Sequence, residues 1–169
     1  LRPEQEFNVV TIDALALTGP LPQPRLVDSA CGVCGSDSVA TVTGPPPADV
    51  HLDAEMLAGL PGRLRASQKF FDRTGGTHGA ALVDAGGDLV VVREDIGRHN
   101  ALDKALGHCF LARRPVPPIA VLSGRVGYEL MQKAVPAGVA VVVAVGAPTS
   151  LALDIALATD RTLVGFTRP

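Results

Sequence analysis

Cys31 and Cys34, separated by two residues, sit in the stretch Ser29-Ala-Cys-Gly-Val-Cys-Gly-Ser-Asp37 with a glycine after each thiol. A pair in this spacing has three chemical uses. A zinc site needs four ligands, and with no second Cys-x-x-Cys the shell would have to be completed by His78 and His99. That makes a metal centre a weak expectation. A thioredoxin-type redox centre needs its first thiol acidified at a helix N-terminus, yet no helical pattern follows, and Asp28 and Asp37 act in the opposite direction. The third use is a carrier: a thiolate that takes up sulfane sulfur as a persulfide and delivers it elsewhere. A pliable, glycine-flanked loop suits that use and is poorly placed for a packing role.

Four polar turns are the remaining chemical candidates. Arg73-Thr74-Gly75-Gly76-Thr77-His78 could aim consecutive amides at an anion, or could be a glycine helix stop followed by a loop. Arg93-Glu94-Asp95-Ile96-Gly97-Arg98-His99-Asn100, Ser123-Gly124-Arg125 and Gly146-Ala147-Pro148-Thr149-Ser150 each join a strand pattern to a helix pattern. Free N–H groups at such helix starts, with Arg98 and Arg125 beside them, favour phosphate or another anion. Arg93 and Glu94 read more simply as a solvated strand end, and Asp95 as a helix cap. His51 and His108 read as surface residues. His78 and His99 lie beside glycine and arginine in candidate ligand turns, where a structural histidine and a ligand-binding one look alike.

The elements that must position these turns follow from periodicity. Leu57, Leu60, Leu64 and Phe71 recur at helical spacing, interrupted by Pro61-Gly62, which predicts one kinked helix or two short ones. Residues 80–83 and 88–92 are apolar runs joined by Asp84-Ala-Gly-Gly87, an antiparallel hairpin. Ala101, Leu102, Ala105, Leu106, Cys109 and Phe110 share one helical face. Strands are then predicted over 119–122, 139–145 and 162–166, alternating with helices over 126–137 and 148–159. This is an α/β chain built on a single mixed sheet flanked by helices, in which ligands sit outside the carboxyl ends of the strands.

Residues 1–50 divide from this domain. They hold one strand-like run, 6–16, then the irregular cysteine loop, closed by Pro45-Pro46-Pro47, with the α/β domain following over 51–169. A length of 169 residues supports a purely apolar core, and a hydrophobic content of 47% supplies it. The formal charge of −2 offers no field for sequence-independent nucleic-acid binding. Three cysteines indicate no disulfide framework, and the lack of a long apolar run or signal peptide makes the cytoplasm the expected compartment, with no membrane partner. The chain opens on Leu1 rather than Met and ends on Arg168-Pro169, so further segments are expected at both ends.

Taken in order, Cys31-Gly-Val-Cys34-Gly, Thr74-Gly-Gly-Thr-His78, Arg93-Glu-Asp-Ile-Gly-Arg-His-Asn-Ala-Leu-Asp-Lys104, Ser123-Gly-Arg125 and Ala147-Pro-Thr-Ser150 resemble the FdhD family of formate dehydrogenase accessory sulfurtransferases. The resemblance implies a cytidine deaminase-like fold without deaminase chemistry. The sequence agrees, since no histidine is followed two residues later by glutamate. It also implies that a cysteine desulfurase loads sulfur onto the cysteine loop; Cys31 is taken as the persulfide carrier and Cys34 as relay or resolving partner, an order that the spacing leaves open. The sulfur then passes to a molybdenum or tungsten bis(pyranopterin guanine dinucleotide) cofactor destined for the formate dehydrogenase apoenzyme. Arg73, Thr74, Gly75, Gly76, Thr77 and His78, then Arg98, His99, Asn100 and Lys104, then Ser123, Gly124, Arg125 and Ser150, are the expected cofactor-binding residues, with guanine nucleotides as partial mimics. By resemblance alone, Phe166, Thr167, Arg168 and Pro169 begin another cofactor-binding stretch. Apolar helical faces together with the resemblance point to a homodimer. The competing expectation is a cofactor chaperone that binds without covalent sulfur transfer; a residual zinc hydrolase is a more distant one.

Overall fold

The computed structural model describes residues 42–167. The cysteine pair, the strand expected over 6–16, and Arg168 and Pro169 lie outside the described residues. The elements are α1 (Ala54–Ser67), α2 (Lys69–Thr74), β1 (His78–Val83), β2 (Leu89–Asp95), α3 (Arg98–Leu111), β3 (Ile119–Leu122), α4 (Tyr128–Ala134), β4 (Val141–Ala144), α5 (Ser150–Ala158) and β5 (Thr162–Val164). The strands form one five-stranded sheet in the order β2-β1-β3-β4-β5. β1 runs antiparallel to both β2 and β3, while β3, β4 and β5 are parallel.

Strand alternation divides the core into two layers. Ala80, Leu82, Ala120, Leu122, Val142 and Ala144 face α3, α4 and α5, whose inward residues include Leu102, Leu130 and Ile155. Ala81, Val83, Ile119, Val121, Val141 and Val143 face the other way, against Leu60 and Leu64 of α1. Both faces are covered, as the near-continuous apolar strands require. The hairpin is set by Asp84, whose side chain accepts from the amides of Gly86 (3.0 Å) and Asp88 (2.9 Å), and by Gly87 at φ +89°.

Several boundaries differ from those predicted: β2 extends to Asp95, α4 ends at Ala134, β4 spans only Val141–Ala144 and β5 ends at Val164. The first long helix runs straight through Pro61 and breaks at Gln68, whose backbone leaves the helical region at φ −86°, ψ 79°. Leu60 and Leu64, fully buried on either side of the proline, hold that segment against the sheet, so packing outweighs the local penalty. α4 starts at Tyr128 and α5 at Ser150, each two residues later than their patterns suggest. Val126 and Pro148 pair in a parallel bridge that carries the sheet register beyond β3 and β4. Residues 42–52 are irregular and lie against the domain: Val42 is buried, Val50 and Leu52 pack on the α1 layer, and the Pro45 carbonyl accepts a hydrogen bond from the Arg161 guanidinium. None of the described helices is long and apolar enough to cross a membrane.

Candidate functional site

The topology brings every described candidate turn to one rim of the sheet. β1 is antiparallel to its neighbours, so its start at His78 lies beside the end of β2 at Asp95 and the end of β3. The turns after β3, β4 and β5 open on the same side. Ser123 is locked to β1 by two bonds: its amide donates to the Gly79 carbonyl (3.0 Å), and its hydroxyl oxygen accepts from the Gly79 amide (2.8 Å). Gly146 N–H donates to the Gly124 carbonyl (3.2 Å), and Phe166 N–H to the Gly146 carbonyl (3.2 Å).

Glycine is required here for close approach. A Cβ on Gly124 would lie 3.2 Å from Nδ1 of His78 and 3.7 Å from Cδ of Arg98, so these two side chains close over the Ser123–Arg125 turn. A Cβ on Gly146 would lie 2.8 Å from the Arg125 amide nitrogen, with only backbone to yield. The turns therefore stack without side chains between them, leaving the histidine and the arginines to line the rim.

Glu94 orders the first turn. Its carboxylate accepts from the amides of Phe70 (2.9 Å) and Phe71 (2.8 Å) and from the Thr77 hydroxyl (2.8 Å). One side chain thus caps α2 from strand β2 and tethers the loop that follows that helix. Burial opposes ionisation of Glu94, but the bonds from Phe70, Thr77 and Phe71 outweigh it and hold its pKa below the ordinary value. Gly75, at φ +64°, ends α2 by donating its amide to the Phe71 carbonyl (2.7 Å). It is a helix stop and also part of the cavity wall described below.

Asp95 orders the second turn. It pairs with Lys104 (2.5 Å) and accepts from the Gly97 amide (2.9 Å) and the Asn100 side chain (3.2 Å). The Lys104 bond, reinforced by Gly97, lowers its pKa to about 2. The helix cap expected at Asp95 falls instead on Gly97, which has no side chain to spend, so the first turn of α3 carries no side-chain cap. Arg98 and His99 occupy that turn, and Nε of Arg98 and Nε2 of His99 are buried without partners among the described residues. Burial, followed by the Arg98 charge, lowers the His99 pKa and favours the neutral imidazole. An uncapped helix start beside an arginine with an unspent donor is chemically suited to an anion.

A cavity of about 430 Å³ opens beneath this rim on the α1 side. Gly75, Gly76, Thr77, His78 and Ser123 line it together with the apolar Pro61, Leu64 and Phe71. A larger cleft, about 790 Å³, follows the open edge of β2 between α2 and α3, but of the predicted binding residues only Lys104 borders it. There Arg93 Nη1 and Lys104 Nζ donate to the Val92 and Glu94 carbonyls (2.8 and 3.1 Å) and shield the edge strand from further pairing.

The structure therefore gathers Thr74–His78, Arg98, His99, Ser123, Gly124 and Arg125 at one rim. Asn100 and Lys104 are engaged with Asp95 and act as supports. Arg73 is exposed in the last turn of α2, and Ser150 is exposed at the start of α5, capped by Thr149 (3.2 Å to the Ala152 amide). Phe166 is exposed at φ +57°, and the Thr167 hydroxyl donates to the Ala144 carbonyl (2.7 Å). Two residues have roles that the sequence reading does not give them. Glu94, read there as a solvated strand end, is placed by strand alternation with Val92 on the α1 side, where α2 gives its carboxylate partners. Gln68 falls four residues after Leu64, at the C-cap of α1, and is the buried polar residue at the α1–α2 junction.

The fold and rim define an α/β protein whose strand ends gather polar, glycine-packed turns. The family model described as FdhD/NarQ family matches residues 4–169, and the chain belongs to that family. It is 52% identical over 149 residues to the sulfur carrier protein FdhD of Streptomyces coelicolor, covering 83% of this chain and 52% of that one. It is 44% identical over 171 residues to the protein of the same description from Corynebacterium efficiens, covering 98% and 58%. The chain thus spans little more than half the length of these relatives. A crystal structure described as a formate dehydrogenase accessory protein from Desulfotalea psychrophila superposes with a TM-score of 0.67 at 30% identity, over 75% of this chain and 55% of that one.

Proposed function

We propose that the protein is a sulfur carrier that accepts sulfane sulfur from a cysteine desulfurase. It passes that sulfur to the molybdenum or tungsten bis(pyranopterin guanine dinucleotide) cofactor of formate dehydrogenase. The observation that carries the reading is the convergence of the glycine-packed turns, Arg98 and Arg125 on one rim, in a chain whose relatives are described as sulfur carriers. The cofactor is the cargo, and its pyrophosphates match the uncapped start of α3 and the two guanidiniums. Cys31 thiolate attacks the terminal sulfur of the donor's persulfide; a Cys31–sulfur bond forms and the donor's cysteine thiolate leaves. Attack of the Cys34 thiolate on the Cys31 sulfur then releases hydrosulfide and leaves a Cys31–Cys34 disulfide, the two thiols supplying the two electrons. Positive rim residues stabilise the sulfur anion on delivery. The protein works in the cytoplasm, as a homodimer, and hands the cofactor to the formate dehydrogenase apoenzyme.

Incubation with a desulfurase and labelled cysteine, followed by peptide mass mapping, tests the covalent half. Label is expected on the Cys31 peptide and lost in the Cys31→Ser, Cys34→Ser double variant; persistent loading of that variant overturns the carrier reading. Equal binding of GDP by the parent, Arg98→Ala and Arg125→Ala proteins overturns the rim assignment.

A further inference from the structure

His99 and Glu129 stand in the first turns of α3 and α4, each with one polar atom sealed from solvent. Nε2 of His99 and Oε2 of Glu129 have no hydrogen-bond partner among the described residues. The helices set them face to face. α3 and α4 both start at the rim and run away from it in contact, and Lys133 Nζ on α4 donates to both carboxylate oxygens of Asp103 on α3 (2.9 and 2.8 Å). His99 lies four residues before Asp103, and Glu129 four before Lys133, so each stands one turn nearer the rim on the same helical face as its neighbour in that ion pair. The charges around the ring agree with this placement. Burial disfavours the imidazolium most, followed by Arg98; Glu129 favours it, and Lys133 and Asp103, paired with each other, act in opposite directions.

A sealed carboxylate oxygen facing a sealed ring nitrogen is costly unless a proton lies between them. That places the proton on Nε2. His99 as a whole is only part-buried, and Nδ1, neither sealed nor bonded among the described residues, keeps its lone pair for the rim. We propose that Glu129 is the positioning residue of His99, and that neutral His99 is the base for the resolving thiol when the cysteine loop is at the rim. This assignment rests on the sulfur-carrier reading and adds the group that starts release. Nδ1 takes the Cys34 proton, and the thiolate attacks the Cys31 sulfur. The Cys31–Cys34 bond forms as the bond from Cys31 to the sulfane sulfur breaks, and hydrosulfide leaves with the electron pair. The imidazolium, stabilised by Glu129 behind it, returns its proton to hydrosulfide.

The test charges the purified protein with sulfur from a desulfurase and follows hydrosulfide release in a single turnover, scored per loaded sulfur, with nitrogen NMR of His99 alongside. In the parent, the neutral ring is expected to carry its proton on Nε2. Glu129→Leu is expected to mix the two tautomers, to move the His99 titration to lower pH and to slow release about tenfold at pH 7.5, while melting no lower than the parent. Glu129→Gln keeps an acceptor oxygen without the charge, so the tautomer is expected to survive although the titration still moves down. His99→Gln is expected to slow release about a hundredfold and to remove the acid limb of its pH profile. Release by Glu129→Leu and His99→Gln at the parent's rate, or a His99 signal that Glu129→Leu leaves unchanged in tautomer and titration, overturns the inference while the carrier reading stands. If the parent takes up no sulfur, the carrier reading fails and the base role with it.

Discussion

Glu94 holds the α2 start and the Thr77 turn together from a different strand, and its removal has a calculable cost. Glu94→Ala takes away three acceptor contacts, at 2.9, 2.8 and 2.8 Å. The Phe70 amide lies at an exposed position where water can replace the carboxylate, so the cap loss falls in the ordinary range of about 1 kcal/mol. The partly buried Phe71 amide and Thr77 hydroxyl bring the total to about 2 kcal/mol. For a chain of 169 residues this lowers the melting temperature by about 4–8 °C. Glu94→Gln keeps one acceptor oxygen and is expected to lie between the two. The pH dependence follows from the same contacts. The folded-state pKa of Glu94 lies below its ordinary value of 4.5, so the stabilisation is present above that value and is lost as pH falls toward the folded pKa. Thermal melts of parent and Glu94→Ala should therefore converge on acidification below about pH 4.5. Equal melting temperatures at pH 7, or a gap that persists unchanged through the acid range, would refute the capping role.

Gly146→Ala should destabilise more than Gly124→Ala. The first methyl meets backbone at 2.8 Å and the second meets the movable His78 ring at 3.2 Å, so costs of about 1–3 kcal/mol and under about 1 kcal/mol are expected in urea titrations. His99 is held neutral chiefly by burial, and its folded pKa lies below the ordinary 6.5. Stability is therefore full above that value and declines as pH falls toward the folded pKa. On the proposed anion site, a phosphate seated at the α3 start would raise the His99 pKa and add proton uptake to GDP binding near pH 6, read as a dependence of calorimetric heat on buffer ionisation enthalpy; His99→Gln should shift that dependence toward proton release, leaving only the contribution of the phosphate itself.

The sheet was legible because its signals are local. Ala80–Val83, Ile119–Leu122 and Val141–Ala144 are unbroken apolar runs with turn chemistry on either side, and the Asp84–Gly87 hairpin declares itself. Pro61 misled because a proline's effect on a helix depends on what the flanking residues bury, and Leu60 and Leu64 bury completely. At the site, residue types marked Thr74–His78, Arg98 and Ser123–Arg125, but their meeting depends on β1 being antiparallel to both neighbours. Glu94 reads locally as a solvated strand end; only the proximity of α2, 23 residues earlier, gives its charge a use. Gln68 likewise is buried only because Gly79, which packs directly against it, has no side chain. The chemistry assigned to Cys31 and Cys34 rests on residue type and family alone.

The central claim is that sulfur is loaded at the cysteine pair and released at the rim. Protein charged with labelled sulfur and mixed with the isolated cofactor separates the two ends. The account predicts that the Arg98→Ala, Arg125→Ala double variant accepts label from the desulfurase as fully as the parent yet transfers little of it to the cofactor. Transfer at the parent's rate and extent by that variant would contradict it.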